Sequence, residues 1–124
     1  MIMGDASTSN RTVFLVEEDS STVSLYSKRF EVEGFKTTSV FDAAEASEAL
    51  PNLSADLIIV DLMLSKRGGL ELLKAIRLDS RHKETPVLIL SNAYLPEMTQ
   101  RALRAGGNKA LERSECTLSA LISV

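Results

Sequence analysis

"DLIIVDLMLSKRGG" (residues 56–69) decides how this chain folds. Leu57, Ile58, Ile59 and Val60 form an unbroken apolar run. A half-exposed strand would alternate polar and apolar residues, so a continuous run reads as a strand buried on both faces. The run ends on a carboxylate, Asp61, and three more apolar residues follow it. An unpaired charge in such a setting costs several kcal/mol or is driven to its neutral form. Asp61 therefore needs both a purpose and something to hold it charged.

Working outward, "TVFLV" (12–16) is a second short apolar and β-branched run, halted by "EEDSS". A helix is expected from Ser20 to Glu33, with Asp19 or Ser20 as its cap and Gly34 just past its end. Its pattern is untidy: Val23, Tyr26 and Phe30 share one side, while Leu25 and Val32 lie nearer the opposite one. "FKTTSV" (35–40) reads as a strand. Asp42 followed by Glu45 forms a capping-box pattern, opening a helix that "PN" ends after Leu50. After strand 56–61, "KRGG" reads as a turn and Leu70, Leu73 and Ile76 mark the next helix. "RLDSRHKET" is a polar loop into a fourth strand, "PVLILS" (86–91), and Pro96 suits the first turn of another helix ending at "AGG" (105–107). "KAL" (109–111) is a fifth strand. Leu118, Leu121 and Ile122 mark a brief last helix with Ser114 as its cap.

Strand and helix thus alternate five times. Apolar strands joined by helical crossovers predict an α/β fold with a parallel sheet covered on both faces, and right-handed crossovers make it doubly wound. The chain's 124 residues suffice for one domain, residues 11–124, preceded by a leader (1–10) that reads as a disordered tail. A net charge of −3 offers no basic footprint for nucleic acid, and no apolar stretch is long enough to span a membrane. The single cysteine, Cys116, allows no intrachain disulfide and makes a reducing cytoplasm the simplest setting.

Doubly wound sheets bind their ligands beyond the carboxyl ends of the strands. There the sequence delivers Glu17 and Glu18, Asp61, Ser91 and Asn92, then Glu112 and Arg113. Three carboxylates brought close together require a proton or a cation among them, and a hard oxygen-binding ion such as Mg²⁺ suits the set. A carboxylate is also a competent nucleophile toward phosphorus. In that reading Asp61 is the nucleophile, Glu17 and Glu18 hold the metal, and Ser91 and Arg113 meet the phosphoryl oxygens.

These segments resemble the receiver domains of two-component response regulators, over about residues 12–124. "VFLVEEDSS" is similar to the family's first strand with its acidic pair, and "DLIIVDLMLSKRGGLELLKAIR" to its phosphoacceptor strand, loop and following helix. "TPVLILSNA" is similar to the strand bearing the Thr/Ser switch, here Ser91, and "ALRAGGNKALERS" to the segment bearing a Lys-Pro pair. The resemblance implies a flavodoxin-like five-stranded sheet of order 2-1-3-4-5. It implies phosphorylation of Asp61 by a histidine kinase or phosphotransfer protein, and Mg²⁺ held by Glu17, Glu18, Asp61 and the Met63 backbone carbonyl. It implies a signalling module rather than an enzyme, acting at most on its own phosphoryl group. Its output goes to a protein partner or a fused effector domain, with a homodimer through the last helix as a further expectation and no direct contact to nucleic acid or membrane.

The chain departs from the family pattern at several positions. Its acidic pair is Glu17-Glu18, where the family has Asp-Asp or Glu-Asp. Arg113 stands for the family's lysine and Ser114 for the proline, so no cis peptide is expected there. Ala110 replaces a rotating aromatic, and Ser65 and Gly68 stand where Pro and Asp are usual. These departures support an alternative: a degenerate pseudo-receiver that binds partners without phosphorylation. A flavodoxin-like electron carrier is the third reading, but it needs a hydroxyl- and glycine-rich cradle where this chain has "EEDSS". Bland roles stand beside the sharp ones. Glu17 and Glu18 would complement a helix dipole, Ser91 would bond loop backbone, and Arg113 would pair with Glu112, Glu115 or Asp61 itself. Asn92 and Tyr94 are read as loop residues beside the site, His82 as solvated, Cys116 as an ordinary helix residue, and Lys66 and Arg67 as a basic tip.

Overall fold

The computed structural model describes residues 11–62, 68–91 and 96–112. Five strands, β1 (Thr12–Val16), β2 (Lys36–Val40), β3 (Leu57–Asp61), β4 (Val87–Ser91) and β5 (Lys109–Glu112), alternate with four helices. The helices are α1 (Ser20–Val32), α2 (Ala43–Ala49), α3 (Gly68–Leu78) and α4 (Pro96–Arg104). Every strand pairing is parallel and the order is β2-β1-β3-β4-β5, which is the flavodoxin-like topology expected. The anticipated last helix, with Cys116, lies outside the described residues.

Strand alternation explains the two cores. Phe14, Val16, Ile58, Val60, Val87 and Ile89 face one way and pack with Ala46 and Leu50 of the α2 region, with Leu72, Leu73 and Ile76 of α3, and with Ala102 of α4. Val13, Leu15, Ile59, Leu88 and Leu90 face the other way, onto Val23, Tyr26 and Phe30 of α1. Burial on both faces is why β1, β3 and β4 are apolar without alternation. On α1 the exposed positions include Leu25 and Val32, at 55% and 79%, so the untidy pattern records two apolar residues outside the core.

Helix starts are fixed by the expected chemistry. Asp19 caps α1, its side chain accepting from the Thr22 amide at 3.2 Å. At α2 the capping box closes reciprocally: Glu45 N donates to Asp42 Oδ1 at 2.8 Å, and Phe41 N donates to Glu45 Oε1 at 3.1 Å. The Pro51-Asn52 pair does not stop the chain at once but tightens it into a 3₁₀ turn, Leu50–Asn52.

Two expectations need correction. Gly68 and Gly69 are not turn residues but open α3. Their small size lets the helix approach closely, because a Cβ on Gly68 would lie 2.5 Å from the Ala43 Cβ and one on Gly69 3.2 Å from the Leu62 backbone. His82 is not solvated but 1% exposed, with Nδ1 3.2 Å from Asp79 Oδ1. The polar loop folds back on itself, His82 N donating to Asp79 O and Thr85 N to His82 O, and so carries the ring inward.

At the amino ends of the strands an arginine ties the sheet together. Arg77 uses all five of its N–H donors. Nε and Nη2 reach Gly106 O (3.0 and 2.6 Å), Nη1 reaches His82 O and Thr85 O (2.9 and 2.7 Å), and Nη2 also reaches Asn108 Oδ1 (2.8 Å). Asn108 Oδ1 in turn accepts from Val87 N at 2.7 Å, while Asn108 N donates to Val87 O at 2.8 Å. One side chain thus joins the end of α3, the loop before β4 and the α4–β5 turn. Burial lowers the guanidinium pKa from its ordinary value.

Candidate phosphoacceptor site at the carboxyl end of the sheet

The β1–β3 register pairs Val16 with Val60, so Glu17 and Asp61 are the next residues along neighbouring strands. Strand alternation puts both on the Leu15 and Ile59 side of the sheet. Both are buried, Glu17 at 0% and Asp61 at 1% exposure. The ladder continues past each of them: Glu17 N donates to Val40 O at 3.1 Å, and Leu62 N donates to Leu90 O at 2.9 Å. Glu17 is oriented locally, its Oε2 accepting from the Asp19 amide at 3.0 Å. The residue that caps α1 therefore also fixes the carboxylate beside Asp61.

Glu18 behaves differently. It is exposed and lines a groove between α2 and α3. Among the described residues, no three Asp, Glu, His or Cys side chains lie close enough to hold a metal ion by themselves. The structure thus brings Glu17 and Asp61 together and leaves Glu18 on the outer side. Met63, whose carbonyl completes the expected ligand set, lies outside the described residues, as do Ser65, Lys66, Arg67, Asn92, Tyr94, Arg113 and Ser114. Ser91 ends β4 and its backbone pairs with Glu112 of β5, which places position 91 two strands from β1 at the same edge. Ala110, paired with Ile89, is half-buried against the α2–α4 core, and its methyl cannot act as a swinging ring.

Chemically, Glu17 and Asp61 set two buried acidic side chains on neighbouring strands at the carboxyl end of the sheet. Oxygen-only donors suit a hard divalent ion such as Mg²⁺, and among the described residues Glu17 and Asp61 are two such donors on adjacent strands. Asp61, on the central strand, has the fixed placement a nucleophile needs. Sequence reading missed Arg77, whose partners lie up to 31 positions away, and also the groove; the one available signal for the groove was an aromatic, Phe41, directly before a helix cap.

Comparison with known proteins agrees with this architecture. The family model for the response regulator receiver domain matches residues 13–122. The transcriptional regulatory protein CpxR of Escherichia coli K12 is 34% identical over 79 residues, covering 64% of this chain and 32% of CpxR. The chain therefore spans about a third of the length of that relative. Among solved structures, the receiver domain of the Francisella response regulator 1452 superposes with a TM-score of 0.80 at 29% identity, covering 92% of both chains. The receiver domain of the sensor histidine kinase PA1611 from Pseudomonas aeruginosa, which carries a magnesium ion coordinated in its active site cleft, gives 0.82 at 21% identity, covering 91% of this chain and 92% of that one. Among the described residues no helix is long and apolar enough to cross a membrane. With the topology, the strand-end carboxylates and the family match in agreement, this chain belongs to the response regulator receiver domain family.

Proposed function

We propose that the domain accepts a phosphoryl group on Asp61, in a Mg²⁺-dependent reaction, from a histidine kinase or phosphotransfer protein. The observation that carries this reading is the burial of Asp61 at the end of the central strand, directly beside a second buried carboxylate, Glu17. An Asp61 oxygen attacks the phosphorus of the donor's phosphohistidine. The new O–P bond forms as the P–N bond breaks, and the departing imidazole keeps the electron pair. Glu17 and Asp61, with the Met63 carbonyl, would hold the metal, and Glu18, exposed beside them, would reach it through water. A bound Mg²⁺ supplies neutralisation of the phosphoryl oxygens. Ser91 and Arg113 would donate to the remaining phosphoryl oxygens, and arginine's planar fork offers two donors where lysine offers a point charge. The altered state would then be read by a protein partner or a fused effector domain.

Intact-protein mass spectrometry after incubation with Mg²⁺ and acetyl phosphate tests this directly. A single phosphoryl adduct, absent from Asp61→Asn and absent in EDTA, is the expected result. Mg²⁺ alone should also raise the melting temperature, because an ion that binds only the folded state stabilises it by about 2.7 kcal/mol at a hundred times its dissociation constant. The pseudo-receiver reading is favoured by the exposed position of Glu18 and by Ala110. It predicts no adduct, no beryllofluoride complex and no Mg²⁺-dependent melting shift in protein shown to be folded.

A further inference from the structure

We propose that Asp19 is a positioning residue for the Glu17 carboxylate, and that the cap of α1 thereby sets how tightly the strand ends hold a cation. This rests on the Mg²⁺-dependent reading of Glu17 given above. Asp19 makes two kinds of bond. Its carboxylate Oδ2 accepts from Thr22 N at 3.2 Å and from Thr22 Oγ1 at 2.5 Å, which caps α1. Its amide donates to Glu17 Oε2 at 3.0 Å. Glu17 is fully buried and Asp19 is exposed, so a carboxylate inside the site is aimed by a residue on the surface.

The order of residues at the start of α1 explains the arrangement. In a capping box the third helical residue is Glu or Gln, and its side chain reaches back to the backbone at the cap. At α2 that residue is Glu45, which takes the Phe41 amide. At α1 it is Thr22, whose short side chain turns to the Asp19 carboxylate instead. The Asp19 amide is thereby left to Glu17, two residues upstream. Asp19 sits at φ −83° and ψ 111°, extended rather than helical, and its two bonds to Thr22 hold it there. Without them the residue can leave that conformation and its N–H can turn away from Glu17. Hydrogen bonds that orient a metal-holding group in this way are typically worth about ten- to a hundredfold in metal affinity. Asp19 thus acts through its amide, and its charge is not what the cation reads.

Two measurements on the whole chain test this. Titration calorimetry with Mg²⁺ gives the affinity, and hydrogen exchange at the residue-19 amide follows the contact with no metal present. Asp19→Ala should lose amide protection and bind Mg²⁺ roughly tenfold more weakly. Asp19→Asn and Asp19→Ser remove the charge but keep a capping oxygen and the amide, and should bind within about threefold of wild type. Thr22→Gln supplies the missing member of a capping box without adding charge. It should draw the residue-19 amide away from Glu17 and weaken Mg²⁺ binding while the helix start is kept. Gly106→Ala lowers stability at the opposite end of the sheet and should leave the affinity unaltered. Circular dichroism confirms that each variant is folded. Mg²⁺ binding as tight as wild type in Asp19→Ala overturns the positioning role and leaves the metal reading standing. So does a residue-19 amide that stays fully protected in that variant. Equal weakening by Asp19→Asn and Asp19→Ala would show that charge is what Asp19 supplies, and overturns the proposal as well. Absence of Mg²⁺ binding by folded wild type overturns the metal reading itself, and this inference with it.

Discussion

Replacing Arg77 with methionine should destabilise the domain by about 3–4 kcal/mol, with most of the loss arising far from the phosphoacceptor end. Methionine keeps an unbranched stem but removes five donors and leaves four acceptors: the carbonyls of His82, Thr85 and Gly106, and Asn108 Oδ1. A hydrogen bond from a charged donor contributes roughly 1.5–3 kcal/mol, and each buried acceptor left unmade costs about 1–3 kcal/mol. A plain sum would overshoot, because the side chain is half-exposed, water can replace some partners, and Asn108 Oδ1 keeps its bond from Val87 N. Arg77→Lys should lose about half as much, since an ammonium cannot present a fork to acceptors on three segments at once. Burial lowers the Arg77 pKa, so for this base the folded-state penalty on the charged form disappears only as pH rises through the folded pKa. That pH lies far above neutrality. The difference between wild type and Arg77→Met should accordingly be flat from about pH 6 to 9.

Urea denaturation followed by far-UV circular dichroism measures the loss, and an unchanged slope shows that the denatured state is not the source. Hydrogen exchange should localise it, with the Val87 and Asn108 amides losing protection first because their mutual bonds depend on Asn108 being held. A loss below about 1 kcal/mol, or equal stability of Arg77→Lys and wild type, would refute the reasoning and show that charge alone, or nothing, is supplied there.

Three further outcomes follow from the same geometry. Gly106→Ala should cost at least about 2 kcal/mol, since φ is +130° and the new Cβ would lie 2.5 Å from Arg77 Cγ; in a double-mutant cycle with Arg77→Ala, which removes that Cγ, the combined loss should be clearly less than the sum of the two. Asp42→Ala should lower stability by about 1 kcal/mol through the lost cap of α2, read by thermal melting, whereas Asp42→Ser should recover most of it. Leu25→Glu combined with Val32→Glu should change unfolding free energy by no more than about 0.5 kcal/mol, because both side chains are exposed; a loss of several kcal/mol would place them in a core after all.

The sheet was legible because burial on two faces leaves a direct mark on composition. Ile58, Ile59 and Val60 announce a central strand whatever lies elsewhere in the chain, and the caps at Asp19 and Asp42 are local chemistry within a few residues. What stayed hidden depends on meetings between distant segments. His82 reads as polar loop, yet it is carried inside by turn bonds and by carbonyl contacts to Arg77 that no local pattern encodes. Gly68 reads as a turn until Ala43 is known to face it across two helices. The acidic pair shows the same limit. Glu17 and Glu18 are equivalent in sequence, and only the alternation imposed by β1 turns the first inward beside Asp61 and the second outward.

That division of the pair ties site to scaffold. Glu17 is buried because the β1 ladder continues through its own amide to Val40, and its carboxylate is aimed by the amide of the residue that caps α1. Asp61 is buried because β3 is central, with β1 on one side and β4 on the other. The two positions are thus brought to adjacent places on neighbouring strands by hydrophobic packing and main-chain bonding rather than by anything in their own side chains. The opposite end of the sheet supplies the rigidity for this, since Arg77 and Asn108 fix the entry of β4 and β5. Two buried acidic residues at one end and clamped strands at the other thus depend on the same sheet, one end fixed by packing and the other by the hydrogen bonds of Arg77 and Asn108.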